Sequence, residues 1–364
     1  MPSFHGLTEK PHQPDWRGLL NNIRRSGTPE RAYSIELFHD AEVIDAIVER
    51  FDLAGDLDPI SPDYERRKTI AFNRFCGLDY VRVQLDLTLT FHRHRIEDTA
   101  ALKRTDGREF QDEHTGPIMS WEDFEKYSWP DPDTDEAVKE LYWYQENLPE
   151  DMCLIGGTTA HFCERLVWLM GYEHFCYALY EQRDLVEAIA QKLREFYFAC
   201  MQRYLECDRV KALWVSDDMG FKTGLFFSPD DMRELVLASH QALARLVHNA
   251  GRLYLLHSCG NLRTIMEDLI EDVKIDGKHS FEDTIETIEN AKRAYGDRIA
   301  VLGGMDVDFL CRSDEGAIRD RVRRTIDACQ PGGGFCLGTG NTVANYIPLD
   351  NYLAMIDECR LYGS

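Results

Sequence analysis

Eight short apolar runs alternate with helical patterns from Arg31 to the C-terminus. This alternation predicts an α/β chain wound as a (β/α)8 TIM barrel with an N-terminal helical extension. Two further observations favour the barrel over a doubly wound open sheet. No GxGxxG follows the first apolar run. Polar residues also stand at the carboxyl ends of most runs, where a barrel keeps its chemistry.

The elements follow in chain order. Residues 1–30 are polar and contain Pro and Gly; they read as an arm carrying one amphipathic helix, Trp16–Arg25. Residues 31–364 read as a single catalytic domain with no linker and no internal repeat. The predicted strands are Ala32–Leu37, Tyr80–Leu87, Met152–Gly156, Ala212–Ser216, Leu253–His257, Ile275–Lys278, Ile299–Leu302 and Gly334–Leu337. Between them lie predicted helices at Ala41–Phe51, Phe162–Leu169, Leu185–Glu206, Pro229–Asn249, Leu262–Ile270, Thr284–Tyr295, Asp314–Ala328 and Asn351–Tyr362. The polar, acidic stretch from Leu89 to Pro132 reads as a long excursion after the second strand.

Composition narrows the partners. Asp and Glu outnumber Lys and Arg by 64 to 41, a formal net charge of −23, which repels nucleic acid and anionic membranes. An anionic substrate would therefore need a local cluster of Arg or Lys. No run is long and apolar enough to span a membrane, and the N-terminus lacks the basic-then-apolar pattern of a secretory signal, so the cytoplasm is the expected location. The 11 cysteines are odd in number, scattered and without CxxC pairs, which argues against a disulfide framework. Large barrels often pair, leaving a homodimer open.

The chemistry concentrates at strand ends. His257 and Cys259 close the Leu253–His257 run; spaced two apart, they present an imidazole and a thiol on one face, a soft pair suited to zinc. A buried His and Cys packed at a strand end is the plainer alternative. Glu36, Asp86, Asp217 and Asp218 are candidate catalytic carboxylates, each also explicable as a helix cap. Adjacent residues leave a strand in opposite directions, so only one of Asp217 and Asp218 is expected to face the pocket. Lys278, His279, Ser280, Asp306, Thr339 and Asn341 also follow strands. His161 and Glu164, three apart at a helix start, share a helix face. Cys336 is a candidate third metal ligand, or a buried strand cysteine.

Several segments together resemble the uroporphyrinogen decarboxylase superfamily. They are His257-Ser258-Cys259-Gly260-Asn261, the stretch from Tyr295 to Asp306, Gly332-Gly333-Gly334-Phe335, Asp217-Asp218-Met219-Gly220, the stretch from Ser228 to Arg233, and Pro348-Leu349-Asp350-Asn351. The resemblance runs from about residue 15 to the C-terminus and implies a (β/α)8 barrel. It is closer to the superfamily's zinc-dependent corrinoid methyltransferases, which carry a His-x-Cys pair, than to true uroporphyrinogen decarboxylase. In that branch a further zinc ligand is a Cys in a Gly-Cys-Gly turn after the last strand. Asn341 stands at that position here. A carboxylate or Cys336 then replaces the missing thiolate, or the metal is lost.

The implied activity is methyl transfer to or from a corrinoid protein, with one zinc per chain. The cobalamin would sit on a partner protein, because this chain has no DxHxxG segment to supply a cobalt ligand. A small molecule would be the methyl donor or acceptor, with His161 and Asn341 expected beside it. The alternative is metal-free decarboxylation, in which Asp86 falls where the decarboxylase keeps its catalytic Asp. Against it, the segment Arg31-Ala32-Tyr33-Ser34-Ile35-Glu36 lacks the arginine-rich arrangement that grips that substrate's carboxylates.

Overall fold

A computed structural model describes residues 4–157 and 160–363. Its centre is one eight-stranded parallel sheet: β1 (Tyr33–Ser34), β2 (Tyr80–Val83), β3 (Cys153–Gly156), β4 (Val210–Ser216), β5 (Leu253–His257), β6 (Gly277–His279), β7 (Ala300–Met305) and β8 (Phe335–Thr339). The hydrogen-bonded order is β1-β8-β7-β6-β5-β4-β3-β2, so each strand lies beside its neighbour in sequence except at the two edges. The sheet curls until those edges face each other. Among the described residues no backbone ladder joins them, and side chains bridge the gap instead. The Tyr80 hydroxyl donates to the Glu36 carbonyl and accepts from the Glu36 N–H, both at 2.9 Å. The Arg82 guanidinium donates to the Leu37 carbonyl. The architecture is an α/β fold of TIM-barrel type with this side-chain seam.

Alternation along each strand sorts residues between lumen and helix layer. Ala212 and Trp214 on β4 cluster with Leu253 and Leu255 on β5, whereas Leu213 and Val215 cluster with Tyr254 and Leu256 beneath the helices. His257 continues the inward series of Leu253 and Leu255. His279 does the same on β6, its ring edge-on to Trp214 at 5.3 Å between centroids. Strands buried on both faces need continuous apolar runs, which is why they were legible in the sequence.

The N-terminal stretch forms two helices, His5–Glu9 and Trp16–Ile23. The first falls in the segment expected to be an arm. It is held because Phe4 and Leu7 are buried and the Leu7 N–H donates to Asp357 on the last helix. Leu19, Leu20 and Ile23 of the second are also buried, and Asn22 donates to the Phe335 carbonyl where β8 begins.

Two predicted elements differ in kind. The helix expected over Leu262–Ile270 is a 3₁₀ turn at Arg263–Ile265 followed by a π-helical segment at Asp268–Val273. The one expected over Pro229–Asn249 is continuous but widens into a π turn at Arg233–Leu237. The Leu89–Pro132 excursion holds a two-stranded hairpin, Arg93–Ile96 with Arg108–Gln111, and a short helix, Trp121–Lys126. Among the described residues, no helix is long and apolar enough to cross a membrane.

Candidate metal centre

β5 delivers His257 to the mouth of the barrel, and the turn after it delivers Cys259. Gly260 makes that turn possible: it has φ +84°, and a Cβ there would lie 2.0 Å from the Gly220 carbonyl oxygen. The turn is stitched to the segment after β4. Asp218 accepts from the Cys259 N–H at 2.7 Å, Ser258 Oγ accepts from the Met219 N–H at 3.2 Å, and Asn261 N–H donates to the Phe221 carbonyl at 2.8 Å.

These contacts bring Asp218, His257 and Cys259 together, with their ligand atoms all within 4.8 Å of one another. His257 Nε2 lies 3.4 Å from Asp218 Oδ1 and 3.6 Å from Cys259 Sγ. A tetrahedral zinc bonded at about 2.3 Å to sulfur and about 2.0–2.2 Å to nitrogen and oxygen sets such atoms about 3.3–3.6 Å apart. The two separations fit an ion between them.

The hydrogen bonds around His257 decide which of its nitrogens is bare. His279 Nε2 lies 2.8 Å from the Thr339 carbonyl, which can only accept, so Nε2 carries a proton. Burial pushes both imidazoles down, His279 to about 3 and His257 well below its ordinary value, so each ring is neutral with one N–H. His279 Nδ1 is therefore an acceptor, and at 2.7 Å it accepts a hydrogen bond from His257 Nδ1–H. His257 Nε2 is left with a lone pair aimed at a carboxylate and a sulfur, three electron-rich groups that a cation reconciles. Burial, and then the neighbouring Glu164 charge, push the Asp218 carboxyl up to about 7. Burial, and then Asp218, push the Cys259 thiol well up.

The other sequence candidates take different places. Asn341 stands beside the cluster as a donor: its Nδ2 lies 3.3 Å from Cys259 Sγ, and its Oδ1 accepts from the Thr342 N–H at 2.7 Å, which fixes the amide's orientation. Asp217 turns away from Asp218. Fully buried, it accepts from the Cys163 and Glu164 N–H groups at 2.9 and 3.0 Å, at the start of the helix Phe162–Met170, and from His240 at 2.8 Å. His161 Nδ1 donates to Glu164 at 2.6 Å. Burial opposes the Glu164 charge, but His161 and the main chain of Asp218 hold it below the ordinary carboxyl range.

The structure does not bring Glu36, Asp86 or Cys336 into the cluster. Glu36 is buried under β8, with Thr339 N–H and Oγ1 on its carboxyl group. Asp86 is exposed, and its N–H is bonded to the Ala137 carbonyl. Cys336 lies back along β8, its sulfur accepting from Asn22 at 3.4 Å. Correcting the expectation for Cys336, Asp218 is the group placed third in the cluster.

The sequence reading placed His279 and Thr339 at strand ends without a role. The strand register that pairs His257 with His279 was the missing signal.

A family model described as uroporphyrinogen decarboxylase (URO-D) matches residues 109–362. The chain belongs to the uroporphyrinogen decarboxylase family. Among solved structures, this URO-D chain is similar to a methyltransferase from Methanosarcina mazei, with a TM-score of 0.67 and 18% identity over 95% of this chain and 98% of that one. It also aligns with a protein described as a vitamin-B12-independent methionine synthase from Listeria monocytogenes, with a TM-score of 0.49 and 14% identity over 92% and 97% of the two chains. At these identities the likeness is one of fold. No curated protein matches the chain.

Proposed function

We propose that this URO-D family member is a zinc-dependent methyltransferase that moves a methyl group to or from a corrinoid protein, the cobalamin being carried by that partner. The observation that carries the reading is the bare Nε2 of His257, set at zinc-ligand spacings from Asp218 and Cys259. The fold it shares with the Methanosarcina methyltransferase is compatible with it.

Asp218, His257 and Cys259 would hold the metal and leave a fourth position for a substrate thiol or hydroxyl. Bound there, zinc supplies Lewis acidity that makes such a group a nucleophile at neutral pH. This chain's own groups prepare the site. His279 and Thr339 fix the His257 tautomer. The Asn341 amide places an N–H on the Cys259 sulfur and so favours its thiolate form. The Asp218 carboxylate also holds the Cys259 main chain, so that two of the three donors are locked to each other.

The test is metal content by mass spectrometry. Purified protein should carry about one zinc per chain, and Cys259→Ala should lose it. Zinc-loaded wild type, but not the variant, should demethylate free methylcobalamin when given a thiol. Unchanged zinc in Cys259→Ala would sink the site, and zinc without methyl transfer to any thiol or alcohol would sink the activity.

A further inference from the structure

A cavity of ≈ 200 Å³ opens beside the metal cluster, between the chain that leaves β2 and the helices Phe162–Met170 and Arg183–Leu205. His161 lines it and joins it to the cluster through Glu164, which the Asp218 main chain also contacts. Its lining mixes apolar side chains, Leu85, Leu89 and Phe91 among them, with the polar Gln84 and Thr88. Two arginines, Arg93 and Arg165, also line it, and no Asp or Glu does among the described residues.

The two arginines differ. Arg93 is ion-paired with Glu109 at 3.0 Å. Arg165 makes no ion pair within 4 Å among the described residues, although the Tyr197 hydroxyl contacts it and the Glu164 charge acts on it. Its guanidinium lies against the rings of Phe91 and Trp168, 4.8 and 4.4 Å from their centroids, and its Nη1 is buried without a hydrogen-bond partner. A buried guanidinium donor without an acceptor is costly, and rings on its faces confine its hydrogen bonding to its rim. It is a preformed fork for a planar anion.

We propose that this cavity binds a small organic acid, with its carboxylate on Arg165 and its apolar body against the leucine and aromatic walls. The acid is then the small-molecule methyl donor or acceptor, or carries the group that is. That role rests on the methyltransferase reading, whereas the binding itself does not. The cavity falls below the roughly 300–1,000 Å³ of drug-sized sites, so the occupant is small.

Calorimetric titration with benzoate and its neutral isostere benzamide tests the site. The full chain is used, zinc-free and zinc-loaded, beside Arg165→Gln, Arg165→Lys and Cys259→Ala. Benzoate should bind wild type with or without zinc, and benzamide should bind at least tenfold more weakly. Arg165→Gln should weaken benzoate at least tenfold, and Arg165→Lys, which keeps the charge but not the planar fork, should fall between. Cys259→Ala should bind benzoate as wild type does, whether or not methyl transfer exists. Equal affinity for the two probes would overturn the proposal, as would benzoate binding unchanged in a folded Arg165→Gln. Binding that needs zinc or is lost in Cys259→Ala would place the anion on the metal instead and overturn it equally. If Arg165→Gln does not fold, Arg165→Lys decides: affinity equal to wild type sinks the planar fork.

Discussion

Glu36 shows what one buried side chain can do to stability. Its Oε2 lies 2.6 Å from Thr339 Oγ1, which also contacts the Asn341 carbonyl. That hydroxyl has one proton, and the carbonyl can only accept, so the consistent arrangement has a protonated Glu36 donating to Thr339 and Thr339 donating to Asn341. Burial pushes the carboxyl up to about 8, in agreement. The folded state therefore keeps a proton that the unfolded chain releases above about pH 4.5. Below that pH the group contributes nothing. As pH rises to about 8, folding loses about 3–5 kcal/mol through this residue, and above it the loss is complete. Glu36→Gln, which mimics the protonated acid, should match wild type near pH 4 and be more stable by about that amount at pH 9. Urea unfolding across the pH range measures it, and parallel curves for the two proteins would show that Glu36 is ionised in the fold.

At the scale of elements, the turn from Ser258 to Asn261 decides whether the three donors meet. It depends on a close approach of Gly260 to Gly220 that no side chain fits, in a left-handed conformation that L-residues avoid. Gly260→Ala should cost more than about 1 kcal/mol of stability and, by displacing Cys259 from Asp218, weaken zinc binding more than tenfold. Thermal unfolding and competition with a chelator read the two effects, and a variant with wild-type zinc affinity would show that the turn does not position the sulfur. Elements were legible to different degrees for physical reasons. β5 was read with its observed bounds because every residue from Leu253 to His257 is buried. The hairpin Arg93–Ile96 with Arg108–Gln111 was not, because its residues are exposed or half-buried and half of them are charged, with no apolar alternation to mark a strand. Alternation put His257 and Cys259 on one face, and the resemblance to a His-x-Cys pair made them candidate metal ligands. Choosing Asp218 over Asp217 required the hydrogen bonds to Cys259 on one side and to the Phe162–Met170 helix on the other. Arg165 gave no signal: Trp168 shares its helix face, but Phe91 and the cavity wall come from a distant part of the chain.

For the whole molecule, the run of strands announced the barrel, but nothing in the sequence announced how its ends would meet. β1 has only two residues, and the main chain just beyond it, at Glu36 and Leu37, meets the β2 edge through the Tyr80 hydroxyl and the Arg82 guanidinium. Tyr80→Phe leaves a buried N–H and a buried carbonyl of Glu36 without that partner, each worth about 1–3 kcal/mol when orphaned. It should lower the unfolding free energy by about 2–4 kcal/mol, and a denaturation midpoint equal to wild type would mean that water replaces the hydroxyl. Because that phenol oxygen guards the Glu36 amide, deuterium can reach this amide whenever the phenol swings aside, with every strand pairing still intact. The barrel thus has a zip, and one amide proton keeps time on how often it slips.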